Sequence, residues 1–337
     1  MIGTVPAALG RARGLVGPAL REQVERLSPP LRRVCGYHFG FTDELGRPAL
    51  GDGGKAVRPA LALLSAEAAG SSAEVALPGA VAVELVHNFS LLHDDVMDRD
   101  RERRHRPTAW TVFGQGPAIL AGDALLALAH RVLLEEATSA RVAASRALSD
   151  GTARMIEGQA EDVAFQAGGA VALDECRAMM AGKTGALLSC AGSIGALLAE
   201  APPPMVEALA GFGLHLGLAF QAVDDLLGIW GDPDITGKPV AGDIRERKKS
   251  YPVVSALESG GPEADRLRTL LTKGEPAGDA LAEAVSLVDR LGGRSRTHDL
   301  AERETQLSLD ALDRAGAHEP ARTELENLAR FVTARDF

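Results

Sequence analysis

Between Gly211 and Trp230 the chain is apolar on almost every helical face, yet it carries the adjacent acids Asp224 and Asp225 near its end. A helix that apolar belongs inside a fold. Burying unpartnered carboxylates costs several kcal/mol, on the order of ~3–5, so these two must meet a cation or line a wet cavity. A second segment repeats the problem. From Gly79 to Asp98, Ala82, Leu85, Val86, Phe89, Leu92 and Val96 form an apolar stripe, with Glu84, His87, Asp94 and Asp98 on another face. Two acid-tipped apolar helices are the strongest constraint on what this chain can become.

The rest of the pattern is helical. Apolar residues recur at intervals of three and four, and punctuation at Pro29-Pro30, Gly51 to Gly54, Pro202 to Pro204, Gly260 to Pro262 and Gly292-Gly293 divides them into helix-length pieces. No strand or hairpin series is apparent, and no linker or repeat separates two halves. The expectation is an all-α chain forming a single domain over 1–337. With 46% apolar and 4% aromatic residues the composition agrees. A net charge of -10 argues against a general nucleic-acid binder, which needs a basic face. The three cysteines Cys35, Cys176 and Cys190 lack zinc-type spacing and read as reduced core residues of a cytoplasmic protein. Apolar stretches such as Ala118 to Ala129 are interrupted before reaching span length, so no membrane span is expected.

The stretch HDDVMDRDRERRHRPT, His93 to Thr108, packs four aspartates and a glutamate ahead of five arginines. Charge runs are commonly solvated surface. Here Asp94 and Asp98 lie four apart, one helical turn, and an all-oxygen pair suits Mg²⁺ bridged to phosphate.

The motifs GGKAVRP, ELVHNFSLLHDDVMD, RRHRPT, AGDALL, GQAED, KTG, FQAVDD and TGKPVAGDIRERKKSYP occur in this order between Gly53 and Pro252. In this the chain resembles the trans-isoprenyl diphosphate synthases, the polyprenyl synthetase family. The resemblance implies a helical bundle of the isoprenoid synthase type around a central active-site cavity, closed by further helices over 260–337. It implies Mg²⁺ held by Asp94, Asp98 and Asp224, with Asp95 supporting them. Lys55, Arg58, His87 and Arg104 match positions for isopentenyl diphosphate, and Arg103, Lys183, Gln221, Lys238 and Lys248 match positions around an allylic diphosphate (dimethylallyl, geranyl or farnesyl), Lys183 being counted among the catalytic groups. The family also implies a homodimer. Gln159 and Asp162 keep a structural reading.

The second acidic motif departs from the family's pattern. It reads DDLLG, so Gly228 stands where a final carboxylate is usual, and Asp232 lies beyond the expected helix end at Gly231 and Pro233. Phe89 and Ser90, five and four residues before the first acid, resemble the short-chain enzymes that stop at geranylgeranyl diphosphate. Farnesyl or longer products, a class I terpene cyclase and a non-catalytic partner subunit remain as alternatives. GGKAVRP, His87 and the Arg103-Arg104 pair weigh against the cyclase, and retention of Asp94, Asp98 and Asp224 weighs against the inert subunit.

Overall fold

The computed structural model describes residues 6–49, 54, 56–231, 241–272 and 274–333. Lys55, Lys238 and Asp232 lie outside the described residues. The chain is all-α as expected, with one departure discussed below. It divides into two compact units, one comprising Met1–Thr152, Leu187–Gly213 and Leu312–Leu328, the other Ala153–Ala186, Leu214–Ala311 and Ala329–Phe337.

In the first unit, α1 (Ala7–Glu25), α2 (Pro29–His38), α3 (Val57–Ala68), α4 (Leu77–Met97), α5 (Ala109–Phe113) and α6 (Gln115–Leu134) follow in order. The most extensive pairing is α4 on α6, with α3 on the flank of α4. Leu61, Leu64, Leu85, Leu92, Leu125 and Leu128 are each at most 1% exposed, so burial on this scale, about 25 cal/mol per Å² of apolar surface, is what fixes α4. The amphipathic reading of α4 is corrected. Every residue from Gly79 to Val86 is buried, including Glu84, whose carboxylate accepts from Asn88 Nδ2 and is offset by the charge of Arg58.

Helix α7 (Ser139–Gln166) follows, then α8 (Leu173–Met180), a five-residue π-helical turn at Ala181–Gly185, and α9 (Ala186–Leu198). The long apolar segment becomes α10 (Pro203–Trp230), and it ends before Asp232 as Gly231 and Pro233 predict. Short α11 (Gly242–Arg245), then α12 (Tyr251–Glu258), α13 (Gly261–Thr272), α14 (Asp279–Arg290), α15 (Gly293–Ala315) and α16 (Ala321–Thr333) complete the order. In the second unit Met180, Leu218, Ala222, Val223, Val254 and Leu300 share one core. Glu304, with no exposed surface, is held there by Arg177 at 2.8 Å and His215 Nδ1 at 2.7 Å.

Two expectations change. His93 to Thr108 contains a small antiparallel hairpin, Glu102–Arg103 paired with Arg106–Pro107. Four helical segments, Ala73–Met97, Gln115–Leu134, Leu173–Leu198 and Pro203–Trp230, are long and apolar enough to cross a membrane by length and composition, contrary to the sequence estimate. An isolated acid such as Asp123 does not lower a helix's average apolarity enough to prevent this. Of their most apolar windows, 44% to 72% is buried inside the fold, so much of that surface is already used in packing. The three cysteines are free and buried, and desolvation pushes the thiols of Cys35 and Cys190 up to about 12.

Close helix contact depends on missing side chains. A Cβ at Gly195 on α9 would lie 2.0 Å from the Ala62 carbonyl oxygen and 2.4 Å from Ser65 Oγ on α3. Backbone cannot yield as a flexible side chain can. Gly195→Ala is therefore expected to destabilise the protein by about 1–3 kcal/mol, read as a lowered urea midpoint with an unchanged slope. An unchanged midpoint would contradict this packing.

Candidate active site

The acidic end of α4 keeps helical geometry through Asp98, whose N–H donates to the Asp94 carbonyl at 2.8 Å. Their carboxylates thus stand one turn apart, Asp94 half-buried and Asp98 exposed. Asp95 behaves differently. It is 2% exposed, and both Nε and Nη2 of Arg103 lie 2.7 Å from its Oδ1. Burial raises the pKa of Asp95 and the Arg103 contact opposes that rise. Asp95 is an anchor for the hairpin, leaving Asp94 and Asp98 as the acids suited to a metal.

The turn of that hairpin is Arg104-His105, with φ of 52° and 59°. Left-handed geometry at both central residues matches the twist of the flanking strands, but it costs side-chain-bearing residues energy that glycine and asparagine avoid. The loop is tied down nearby. Thr108 Oγ1 and Trp110 Nε1 both donate to the Asp100 carbonyl, at 2.8 and 2.7 Å, and Tyr37 donates its hydroxyl to the Pro107 carbonyl at 2.8 Å. One result is that Arg104 packs over Gly54, where a Cβ would come within 2.5 Å of Nη2. Gly54 and the arginine run meet.

Behind this hairpin, Arg58 on α3 lies 3.3 Å from His87 Nε2 on α4. Guanidinium only donates, so Nε2 accepts and His87 is neutral. Burial first, then the charges of Arg58, Arg104 and Arg103, hold its pKa well below the usual value. Arg58 Nε is buried with no hydrogen-bond partner among the described residues. An orphaned cationic donor beside further arginines is a place for an anion. Three of the four residues matched to isopentenyl diphosphate, Arg58, His87 and Arg104, are therefore brought together in one unit.

Sequence reasoning missed the support of this cluster. Asn88 donates to the Glu84 carbonyl at 2.8 Å and to Glu84 Oε1 at 3.0 Å, while its Oδ1 accepts from His38 Nε2 at 3.1 Å. Burial raises the Glu84 pKa and Arg58 pulls it back. His38, Asn88, Asp95, Arg103 and Arg104 line a cavity of about 60 Å³. Neither His38 nor Asn88 had a detectable signal, since their partners come from α2, α4 and the hairpin.

In the second unit the KTG motif forms the π-helical turn, an arrangement frequent at functional sites. It lies against α7 at Gly158, where a Cβ would fall 2.2 Å from Lys183 N. Lys183 Nζ pairs with Asp162 Oδ2 at 2.5 Å, and Thr184 Oγ1 donates to Gln221 Oε1 at 2.6 Å. Gln221 Nε2 in turn donates to Asp225 Oδ1 at 2.8 Å, and Tyr251 N donates to its Oδ2 at 2.9 Å. Burial, reinforced by Asp243, pushes Asp225 up to about 7. The acid next to Asp224 is met by neutral donors, where the sequence suggested a cation or water. Asp224 itself is exposed. Lys248 Nζ lies 2.9 Å from Glu246 and 4.0 Å from Asp243.

The profile of the polyprenyl synthetase family matches residues 42–288. The chain belongs to that family. It is 49% identical over 336 residues to a (2E,6E)-farnesyl diphosphate synthase of Mycobacterium tuberculosis, covering 98% of this chain and 93% of the relative. A geranylgeranyl diphosphate synthase of the same species is 44% identical over 322 residues, covering 92% and 91%. The crystal structure of a polyprenyl synthetase from Streptomyces coelicolor A3(2) superposes with a TM-score of 0.93 at 51% identity, covering 98% of this chain and 100% of that one. As a member of this family the protein is a prenyl-transferring synthase, its family using isopentenyl and allylic diphosphates and a divalent metal. The donor chemistry fits that metal. Asp94 and Asp98 in the first unit, and Asp224 in the second, each offer oxygen donors, the kind a hard cation takes.

The His38 environment gives a pH signature. Burial, aided by Arg103 and Arg104, lowers its pKa to about 3, whereas an unfolded histidine titrates near 6.5. As pH falls the unfolded chain takes the proton first, so this group removes stability below about 6.5, the loss levelling off near 3. Between about pH 7 and 5, His38→Gln is expected to show a smaller fall in Tm than the parent protein. An identical fall would contradict a neutral, buried His38.

Proposed function

We propose that the protein condenses isopentenyl diphosphate with an allylic diphosphate to a short-chain trans-prenyl diphosphate, geranylgeranyl diphosphate. The observation that carries this reading is the buried Arg58–His87 contact beside Arg104, with an orphaned guanidinium nitrogen, in the same unit as the Asp94–Asp98 pair. A terpene cyclase holds one diphosphate and has no use for the second cationic cluster.

In this proposal Asp94, Asp98 and Asp224 hold Mg²⁺, which when bound draws charge onto the allylic diphosphate. Lys183, Gln221 and Lys248, with Arg103 and Lys238, bind that diphosphate as it departs with the electron pair of the broken C–O bond. Arg58, His87 and Arg104, with Lys55, fix the isopentenyl diphosphate so that its alkene forms the new C–C bond to the allylic cation. Loss of one proton, taken up by the released diphosphate, completes a product five carbons longer. Preorganised charge and proximity supply the rate, and no side-chain nucleophile is required.

Product length is read at Phe89 and Ser90. Phe89 is 7% exposed, and its ring meets His93 edge-to-face at 4.8 Å. His93 in turn sits in the notch left by Gly122 on α6, with Nε2 3.0 Å from the Ile119 carbonyl. A braced aromatic supports a floor beneath the growing chain. Ser90 is small and turns its hydroxyl to the His87 carbonyl at 2.9 Å, adding no second aromatic obstruction. The 49% identity to a farnesyl synthase favours a fifteen-carbon product as the second reading.

Homodimeric assembly and cytoplasmic location belong to the same proposal. Leu120 and Leu134, 61% and 44% exposed, lie two heptads apart on α6 with Ala127 between them, an apolar face suited to a second copy. The free cysteines accord with a reducing compartment.

The test is incubation of purified protein and Mg²⁺ with isopentenyl diphosphate and, separately, dimethylallyl, geranyl or farnesyl diphosphate, resolving products by length. A twenty-carbon diphosphate is expected. A fifteen-carbon product would keep the reaction and discard the Phe89 reading, whereas no elongation by folded protein would contradict the proposed activity.

A further inference from the structure

The motif AGDALL on α6 takes no part in the reaction as described, yet it meets the helix that carries the acid pair. His93, one residue before Asp94 on α4, lays its ring in the notch at Gly122. A Cβ at Gly122 would fall 2.4 Å from His93 Nε2 and 2.5 Å from its Cδ2, so the ring rests directly on the α6 backbone. The Ile119 carbonyl oxygen is 3.0 Å from Nε2. A carbonyl only accepts, so Nε2 carries a proton and donates it to this bond. Asp123 Oδ1, the acid of the same motif, lies 3.7 Å from that nitrogen.

The His93 ring also meets Phe89, one helical turn earlier, with centroids 4.8 Å apart and planes inclined at 72°. Phe89 is 7% exposed. On a helix a phenylalanine has two ordinary χ1 wells, and an aromatic floor stops a growing chain at one length only while its ring stays in one of them. The neighbour four residues on decides which well is open. His93 is itself fixed twice, through its own backbone on α4 and through the notch and hydrogen bond on α6. Because α4 on α6 is the most extensive pairing in the first unit, the brace stands on its firmest contact.

We propose that His93, seated against Gly122, is a positioning residue for product length. It holds the Phe89 ring in the orientation that ends elongation, and the AGD motif on α6 acts on chain length through it. This rests on the reading of Phe89 as the floor given above. A pinned floor yields one product, whereas a floor that can swing yields a ladder of longer ones.

The experiment is the product profile of the full chain with Mg²⁺, isopentenyl diphosphate and geranyl diphosphate, with urea denaturation of each variant alongside. His93→Ala is expected to raise the ratio of longer products to the parent product by about 2- to 10-fold, the bias that an aromatic edge contact supplies. His93→Gln, which keeps a donor for the Ile119 carbonyl and removes the ring, should lengthen products likewise, and it carries the test should His93→Ala not fold. Gly122→Ala expels the ring and should act in the same direction. In the double variant His93→Ala, Gly122→Ala the new methyl enters space the ring has left, so its profile should equal that of His93→Ala and its urea midpoint should exceed that of Gly122→Ala. Longer products from Phe89→Ala, with the parent profile kept in His93→Ala and His93→Gln, would overturn the role of His93 and leave the floor at Phe89. A parent profile in Phe89→Ala would overturn the floor reading, and the inference with it.

Discussion

Placing charge on apolar helices is the costly feature on which the rest of this structure depends. A charged group taken from water must recover its hydration from fixed partners or change its protonation state. The chain uses both routes. Glu84 is buried against Asn88 and Arg58, Asp95 is clasped by Arg103, and Asp225 is capped by an amide and a backbone N–H while burial pushes it up to about 7. His38 and His87 are held neutral. These groups form the scaffold. Asp94, Asp98 and Asp224 stand at the ends of the same helices with greater access to solvent, and Arg58 Nε has no hydrogen-bond partner among the described residues. The buried charges are satisfied internally, and the more accessible acids are those assigned to the metal in the proposed function.

Glycine contacts give that electrostatic arrangement its precision. Gly158 lets α7 touch the π-helical turn that carries Lys183, Gly54 leaves room for the Arg104 guanidinium, and Gly122 admits the His93 ring that braces Phe89. Each is a position where a single carbon would push a neighbouring residue of the candidate site away from its place. Backbone strain lies beside one of these positions, Gly54. Arg104 and His105 adopt left-handed backbone in a two-residue turn, a cost tolerated where the surrounding hydrogen bonds overdetermine the loop.

The helices, the buried α10, its end before Asp232 and the core cysteines were legible because local periodicity and punctuation encode them. The acid pair on α4 was legible because spacing by four is itself geometric information. Three features were not. The Arg104-His105 turn lacks the glycine or asparagine that announces such hairpins. The burial of Glu84 is offset by Arg58, 26 positions earlier, which is invisible to a helical wheel. The close approach of the Asp243 carboxylate to Gly228 joins residues 15 apart, and as a sequence Gly228 read only as a loss. Motif order located the candidate site, while the structure separated the buried acids Asp95 and Asp225 from the more exposed Asp94, Asp98 and Asp224.

The most direct measurement is the chemical denaturation of Asp94→Asn and Asp224→Asn, with and without Mg²⁺ and inorganic pyrophosphate. If these acids are kept for a ligand, removing their charge leaves the ligand-free protein as stable as the parent or more so, and abolishes stabilisation by the metal and diphosphate. Variants that are less stable without ligand yet retain the full ligand-linked stabilisation would contradict the account, because they would make Asp94 and Asp224 structural residues.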